Sequence, residues 1–360
     1  MDRIDRQEAF SGTKAIADAL KFSEDGLIGW MQTHVENFSG PVTISQFKGG
    51  QSNPTYQIET AEAAYVLRRK PPGTLLPSAH AIDREYRVMA ALGAVGFPVP
   101  HVFGLCEDEA VLGTAFYVMD KVEGRIFWEP HLPDSSVAER EAIYDAMNAT
   151  LARLHSYEPD TLGLSGFGKP DNYVARQIAR WSKQYQASCT EDIEAMTRLM
   201  DWLPGRVPPA GPARVVHGDF RLDNLILDAE TPEIRAVLDW ELSTLGDPVA
   251  DFTYHCMQWH MPRSDSGAGV GSLVGEDLDA LGLPHLAAYI EAYEKRTGFS
   301  VAEHADFYFA YNFFRLAAIL QGIVGRVRDG TATNENAAAM AGQVRPLADT
   351  AWRFAQEAGA

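Results

Sequence analysis

The sequence predicts an α+β fold of two lobes, a small sheet-rich one followed by a larger, mainly helical one. Three observations carry this prediction. Up to about Asp120 the chain reads as short strands around a single helix, and beyond it helical patterns dominate. Three short apolar strands inside the second part each end on polar residues. Residues 1–120 are therefore expected to form the first lobe and 121–360 the second, an arrangement that 360 residues can fill.

The elements follow in order. From Glu24 to Phe38 the residues Leu27, Ile28, Met31, Val35 and Phe38 recur at helical spacing. Strands are predicted over Val42 to Phe47, Thr55 to Glu59 and Tyr65 to Arg68, separated by Gly, Asn, Pro and Ala-Glu breaks. A helix fits Ile82 to Leu92, with Ile82, Tyr86 and Met89 on one stripe and Gly93 and Gly96 as its stop. A strand pair over His101 to Leu105 and Ala115 to Met119 completes the sheet. Helices are then expected over Val137 to His155, Tyr173 to Tyr185 and Glu191 to Leu203. Short strands follow over Arg214 to Val216, Leu225 to Leu227 and Ile234 to Leu238. From Pro248 on the chain reads as helix, apart from a Gly-rich loop from Ser264 to Gly275.

With 46% hydrophobic and 22% charged residues the chain has the composition of a globular protein with a sizeable core. A formal net charge of −18 argues against nucleic-acid or anionic-membrane partners, which need a basic surface. A small polyanion needs only a local basic pocket, and a cationic substrate would be attracted over long range. Cys106, Cys189 and Cys256 lie far apart, which suits free thiols in a reducing compartment. The apolar run Phe307 to Val324 contains Asn312, Arg315 and Gln321, so it reads as a buried core helix and not a membrane span. The N-terminal residues carry mixed charge with no apolar run behind them, and a cytoplasmic location is expected.

The chemistry concentrates in Val215-Val216-His217-Gly218-Asp219-Phe220-Arg221-Leu222-Asp223-Asn224-Leu225 and in Leu238-Asp239-Trp240-Glu241. Three apolar strands here converge their polar ends. Phosphoryl transfer needs this inventory: a carboxylate to orient and deprotonate an attacking hydroxyl, with an amide oxygen and a second carboxylate as hard ligands for Mg²⁺. Asp, Asn and Gly are ordinary turn and cap residues taken singly. Together at this spacing, between apolar strands, they are not explained by turn chemistry. No GxSxG elbow supports a serine hydrolase, and no further His near His217 supports a metal hydrolase.

His-x-Asp followed five residues later by Asn, with Asp239 at the next strand end, matches the kinase catalytic loop. With Gly246-Asp247-Pro248-Val249-Ala250-Asp251, the chain resembles the aminoglycoside phosphotransferase-like family, which has a protein-kinase-like two-lobe fold. The motifs Leu67-Arg68-Arg69-Lys70-Pro71-Pro72-Gly73 and Leu238-Asp239-Trp240-Glu241 resemble the branch that includes kinase domains of acyl-CoA dehydrogenase family proteins. The resemblance implies an ATP- and Mg²⁺-dependent kinase with Asp219 as catalytic base, Asn224 and Asp239 as Mg²⁺ ligands, and Asp251 as an anchor beneath the loop. Arg221, two residues past Asp219, stands where many kinases carry a Lys that touches the transferred phosphoryl group.

The first lobe offers the remaining nucleotide contacts. The turn Lys48-Gly49-Gly50-Gln51-Ser52-Asn53 departs from GxGxxG, so Ser52 and Asn53 are candidates for phosphate contacts. Arg68 occupies the place of the kinase phosphate-binding Lys. Side chains alternate along a strand, so Arg68 lies on the Val66 face and Arg69 points away. Glu85, at the edge of the apolar stripe, is placed to pair with Arg68. The resemblance puts Met119 beside adenine, with the Asp120 carbonyl and Val122 N–H at the adenine edge. The small-molecule hydroxyl acceptor belongs to the helical lobe, where Phe127, Trp128, Trp181, Tyr185, Trp259 and His260 are candidates for its lining. A hydroxylated acyl compound is the expected acceptor, with an aminoglycoside or a catalytically silent nucleotide-binding role as alternatives. Intact Asp219, Asn224 and Asp239 favour catalysis.

Overall fold

The computed structural model describes residues 12–48, 53–73, 81–263, 271–330 and 337–360. Strands β1 (Thr13–Lys14), β2 (Thr43–Phe47), β3 (Thr55–Glu59), β4 (Ala64–Arg69), β5 (Val102–Cys106) and β6 (Phe116–Asp120) form one antiparallel sheet in the order β1-β2-β3-β4-β6-β5. Helix α1 (Glu24–His34), capped by the Ser23 hydroxyl accepting from Gly26 N–H, precedes β2. Helix α2 (Ile82–Ala94) precedes β5. The period of two sorts the sheet residues by face. Tyr65, Leu67, Phe116 and Val118 join Leu27, Trp30 and Met31 of α1 in one small core. Val66, Tyr117 and Met119 point the other way, onto Ile82, Val88, Met89 and Leu92 of α2, in a second core that continues through the helical part.

The helical part contains α3 (Val137–Ser156), α4 (Tyr173–Ser188) and α5 (Glu194–Trp202). Next come β7 (Arg214–Val216), β8 (Leu225–Leu227), β9 (Ile234–Val237) and β10 (Thr244–Gly246), in two small antiparallel sheets, β7 with β10 and β8 with β9. Helices α6 (Pro248–His255), α7 (Leu286–Thr297), α8 (Ala305–Arg328) and α9 (Ala337–Glu357) complete the chain. Asp247 caps α6 by accepting from Val249 and Ala250 N–H, and Pro248 sits at its first position, where no N–H is needed.

Several sequence expectations need correction. β1 and β10 were not anticipated, and α1 stops at His34, four residues before Phe38. Most of the expected Gly-rich loop, residues 264–270, lies outside the described residues. Arg69 points away from Val66 as expected, yet that face is not open to solvent. It is buried on the α1 side of the sheet, with its guanidinium 5.3 Å from the Phe22 ring and its Nε donating to Thr114 Oγ1 at 3.0 Å. Arg84, on α2, lies 4.3 Å from the Phe167 ring and donates to the Ser243 carbonyl. The apolar helix α8 meets the length and composition needed to cross a membrane, yet Asn312, Arg315 and Gln321 are buried inside the protein with it. The three cysteines are free thiols.

Candidate active site

The β7–β10 pair delivers the loop that starts at His217, and helix α6 holds it from below. Asp251 is 4% exposed and accepts from His217 N–H at 2.7 Å and Gly218 N–H at 2.8 Å, with His155 Nε2 at 3.1 Å. Burial alone would raise its carboxyl, but the contacts with His155 and His217 outweigh it and hold the group below the usual carboxylate range. His217 spans the loop, with Nδ1 accepting from Asp219 N–H at 3.2 Å and Nε2 at 2.8 Å from the Leu238 carbonyl. Gly218 has φ +85°, and a Cβ there would lie 2.9 Å from the Leu242 carbonyl oxygen, so only glycine fits.

Asp219 is thereby presented as a half-buried carboxylate. Its Oδ1 accepts from the Tyr254 hydroxyl at 2.6 Å and pairs with Arg221 Nε at 3.2 Å. Asn224 Nδ2 donates to the Asp219 carbonyl at 2.9 Å and to Oδ2 at 3.2 Å. Arg221 also pairs with Asp223 at 3.1 Å, so two carboxylates already balance its charge. The β8–β9 register sets Leu225 opposite Val237, and Leu238 N–H donates to the Asn224 carbonyl at 2.8 Å. Asn224 and Asp239 therefore emerge at the same end of one ladder. Asp239 has φ +64°, a left-handed conformation uncommon outside glycine that turns the chain sharply after β9.

The sheet meets this loop through Arg68. Its Nε pairs with Glu85 Oε2 at 2.8 Å, and its Nη2 with Asp239 Oδ1 at 2.8 Å and Glu241 Oε2 at 3.5 Å. Val66 and Arg68 share the face turned to α2, as strand alternation requires. Glu85 is 1% exposed and also accepts from Asn53 Nδ2 at 2.9 Å and the Tyr117 hydroxyl at 3.0 Å. Burial, opposed by Arg68 and reinforced by Asp239 and Glu241, pushes its carboxyl up to about 7. Ser52 lies outside the described residues, so of the two predicted phosphate contacts only Asn53 is placed, and it donates to Glu85. Met119 is buried in β6. Asp120 N–H donates to the His101 carbonyl at 2.8 Å, and Val122 N–H has no hydrogen-bond partner among the described residues.

A small cleft, partly open to solvent, borders the two side chains that contact Asp219 Oδ1. Arg221, Asp223 and Tyr254 line it together with Trp128, Met257 and Met261. Of the six aromatic candidates for the acceptor lining, only Trp128 lines this cleft. Tyr185 is buried in the core, and Trp259 is buried with its indole donating to the Pro284 carbonyl. His260 is wedged between Phe309 and Phe354. Phe127 is half-buried against the core, and Trp181 hydrogen-bonds Gln177 within α4. Sequence reasoning missed Tyr254, Arg315 and Glu241. Glu241 alone had a local signal, because it follows Asp239 by two residues.

Comparison with known proteins bears on the family and the fold. The sequence model described as "Phosphotransferase enzyme family" matches residues 43–299. Mouse acyl-CoA dehydrogenase family member 10 is 45% identical over 342 residues, covering 95% of this chain and 31% of the mouse protein. The chain thus spans less than half the length of the curated relatives it matches. Among solved structures, a Ralstonia eutropha protein provisionally described as an aminoglycoside phosphotransferase superposes with a TM-score of 0.85 and 47% identity. It covers 94% of this chain and 99% of that one. An aminoglycoside phosphotransferase in ternary complex with AMP-PNP and hygromycin B shares the fold at TM-score 0.59 and 16% identity, over 92% and 99% of the two chains. The chain belongs to the phosphotransferase enzyme family and has its protein-kinase-like fold.

Proposed function

We propose that this protein is an active ATP- and Mg²⁺-dependent kinase that transfers the γ-phosphoryl group to a hydroxyl of a small molecule. One observation carries the reading: Asp219, Asn224 and Asp239 converge at the end of β8–β9, and Arg68 reaches Asp239 at 2.8 Å from the sheet above. In this reading residues 1–120 bind the nucleotide and 121–360 supply the catalytic loop and acceptor site. Arg68, fixed by Glu85, grips phosphate oxygens, with Ser52 and Asn53 as further phosphate contacts. The Asp120 carbonyl and Val122 N–H read the adenine edge beside Met119.

Asn224 and Asp239 would hold Mg²⁺. The Asn224 amide nitrogen is committed to Asp219, which turns the amide oxygen away from that residue as a hard donor. Mg²⁺ commonly binds through one or two protein groups plus substrate phosphates, so a pair suffices. When bound it neutralises charge on the β- and γ-phosphates. Asp219 orients the acceptor hydroxyl and takes its proton as the oxygen attacks phosphorus and ADP departs. Arg221, already balanced by Asp219 and Asp223, serves the wall of the acceptor cleft more readily than a free phosphate clamp.

A hydroxylated acyl compound suits this cleft better than an aminoglycoside. Trp128, Met257 and Met261 give it an apolar wall, and the Asp219 and Asp223 carboxylates are both ion-paired to Arg221. A polycationic sugar would need carboxylates to spare. The names of the acyl-CoA dehydrogenase relatives point the same way. ADP release should be screened over hydroxy acids, their CoA esters, amino sugars and choline-like alcohols, with Asp219→Asn as control. Turnover on hydroxyacyl compounds, lowered roughly 10²–10⁴-fold by Asp219→Asn, supports the proposal. Turnover unchanged in a folded Asp219→Asn protein overturns the assignment of the base.

A further inference from the structure

Helix α6 touches the catalytic loop at two points one turn apart. Asp251 binds the backbone of residues 217 and 218, and Tyr254, three residues later on the same face, reaches the Asp219 side chain. The Tyr254 phenol is held in turn. The guanidinium of Arg315, buried on α8, lies 5.1 Å from its ring centre, and Arg315 Nη2 donates to the Gly218 carbonyl at 3.0 Å. Ring and loop therefore share one cationic brace, and Tyr254 also lines the acceptor cleft.

We infer that Tyr254 is a positioning residue for phosphoryl transfer, orienting the Asp219 carboxylate with its hydroxyl. This rests on the reading of Asp219 as the base. Oδ1 of Asp219 accepts from the Tyr254 hydroxyl at 2.6 Å and is ion-paired with the Arg221 guanidinium at 3.2 Å. Among the described residues Oδ2 meets only the longer contact from Asn224. The carboxylate thus cannot rotate without breaking its shortest hydrogen bond, and Oδ2 keeps a lone pair for an incoming hydroxyl. In the reaction that hydroxyl's oxygen bonds the γ-phosphorus, its proton passes to Oδ2, and the bridging oxygen leaves on ADP with the electron pair. Near-attack geometry requires Oδ2 to be aimed before the acceptor arrives, because a misplacement of about 1 Å can cost about 10²-fold in rate. A solely structural tyrosine would help the fold yet leave this step alone.

The test compares wild type, Tyr254→Phe, Arg315→Gln, Asp219→Asn and the Tyr254→Phe/Asp219→Asn double variant. AMP-PNP affinity and melting temperature are measured beside ADP release from MgATP, with water and with the most reactive alcohol of the panel as acceptors. Tyr254→Phe should bind AMP-PNP within about twofold of wild type, leave KM for ATP in place and lower kcat about 10- to 100-fold, the worth of a hydrogen bond to a charged group. Added to Asp219→Asn it should cost nothing further, because the group it orients no longer acts. Wild-type kcat in a folded Tyr254→Phe protein, or full additivity in the double variant, overturns the inference and leaves the kinase reading intact. An Asp219→Asn protein as active as wild type, or no ADP release by wild type, overturns both. If Tyr254→Phe does not fold, Arg315→Gln answers in its place: a lowered kcat with AMP-PNP affinity kept supports the brace, and an unchanged kcat refutes it.

Discussion

Glu85→Gln probes the buried ion pair that joins sheet to helical lobe. The carboxyl of Glu85 titrates near 4.5 when unperturbed and is pushed up to about 7 by burial in the fold. Between these values the folded protein holds a proton that the unfolded chain has released, so stability falls as pH rises through that window. At about 1.4 kcal/mol per pH unit, the interval corresponds to about 3 kcal/mol lost by pH 8 relative to pH 4.5. Glutamine cannot titrate and removes this slope. It also carries an NH₂ that must face either Asn53 Nδ2 or the Tyr117 hydroxyl, both now donors to Glu85. The variant should therefore be less stable than wild type at pH 5, by about 1–3 kcal/mol for a mismatched buried donor. Its deficit should shrink or reverse by pH 8. Urea unfolding of both proteins at pH 5, 6, 7 and 8 measures the difference directly. A deficit that stays constant across this range refutes the burial argument and implies that Arg68 keeps Glu85 ionised throughout.

Asp239→Ala should abolish the Mg²⁺-dependent part of ATP stabilisation, since Asn224 alone offers no charge; calorimetry showing wild-type MgATP affinity would place the metal elsewhere. Arg68→Ala should weaken ATP binding strongly, and Arg68→Lys should rescue it only in part because an ammonium lacks the two-point grip. Arg69→Ala should leave the ATP dissociation constant unchanged but cost about 1–3 kcal/mol in stability, because it strips a buried guanidinium from Phe22 and Thr114. Asp251→Asn should lower kcat and cost about 1–3 kcal/mol, as one of the two loop N–H groups loses its acceptor; equal thermal stability of the two proteins would contradict this.

Much of this site could be read from the sequence because its parts are locally encoded. Strand alternation placed Arg68 with Val66, and helical spacing put Glu85 at the edge of the apolar stripe that faces it. The strand ends at Asn224 and Asp239 needed only the run of short apolar segments. Tyr254 and Arg315 were not legible, because they meet the catalytic loop from 35 and 97 residues away. Their own neighbourhoods look like ordinary helix. The side of β4 that Arg69 occupies was legible, but its burial was not, because Phe22 and Thr114 cover it and no pattern within β4 announces them. The aromatic candidates for the acceptor site failed for a related reason: Trp259, His260 and Tyr185 are as suited to a core as to a cleft, and composition does not separate the two.

The two cores described above divide the molecule differently from its two lobes. The larger core runs without a break from one face of the sheet, through α2, into the helices, so rigid-body rotation about residues 120–122 would have to open packed apolar surface. Arg84 and Arg87 add tethers from α2 to the Ser243 and Gly163 carbonyls. Nucleotide entry in such a molecule calls for small local adjustments, not wide hinge opening. The smaller core, built by α1 on the outer face of the sheet, can loosen with little effect on the larger one. Amide exchange should therefore report two cooperative units, with α1 and β1 to β3 releasing their protons well before α2, α6 and the strands that carry Asp219 and Asp239.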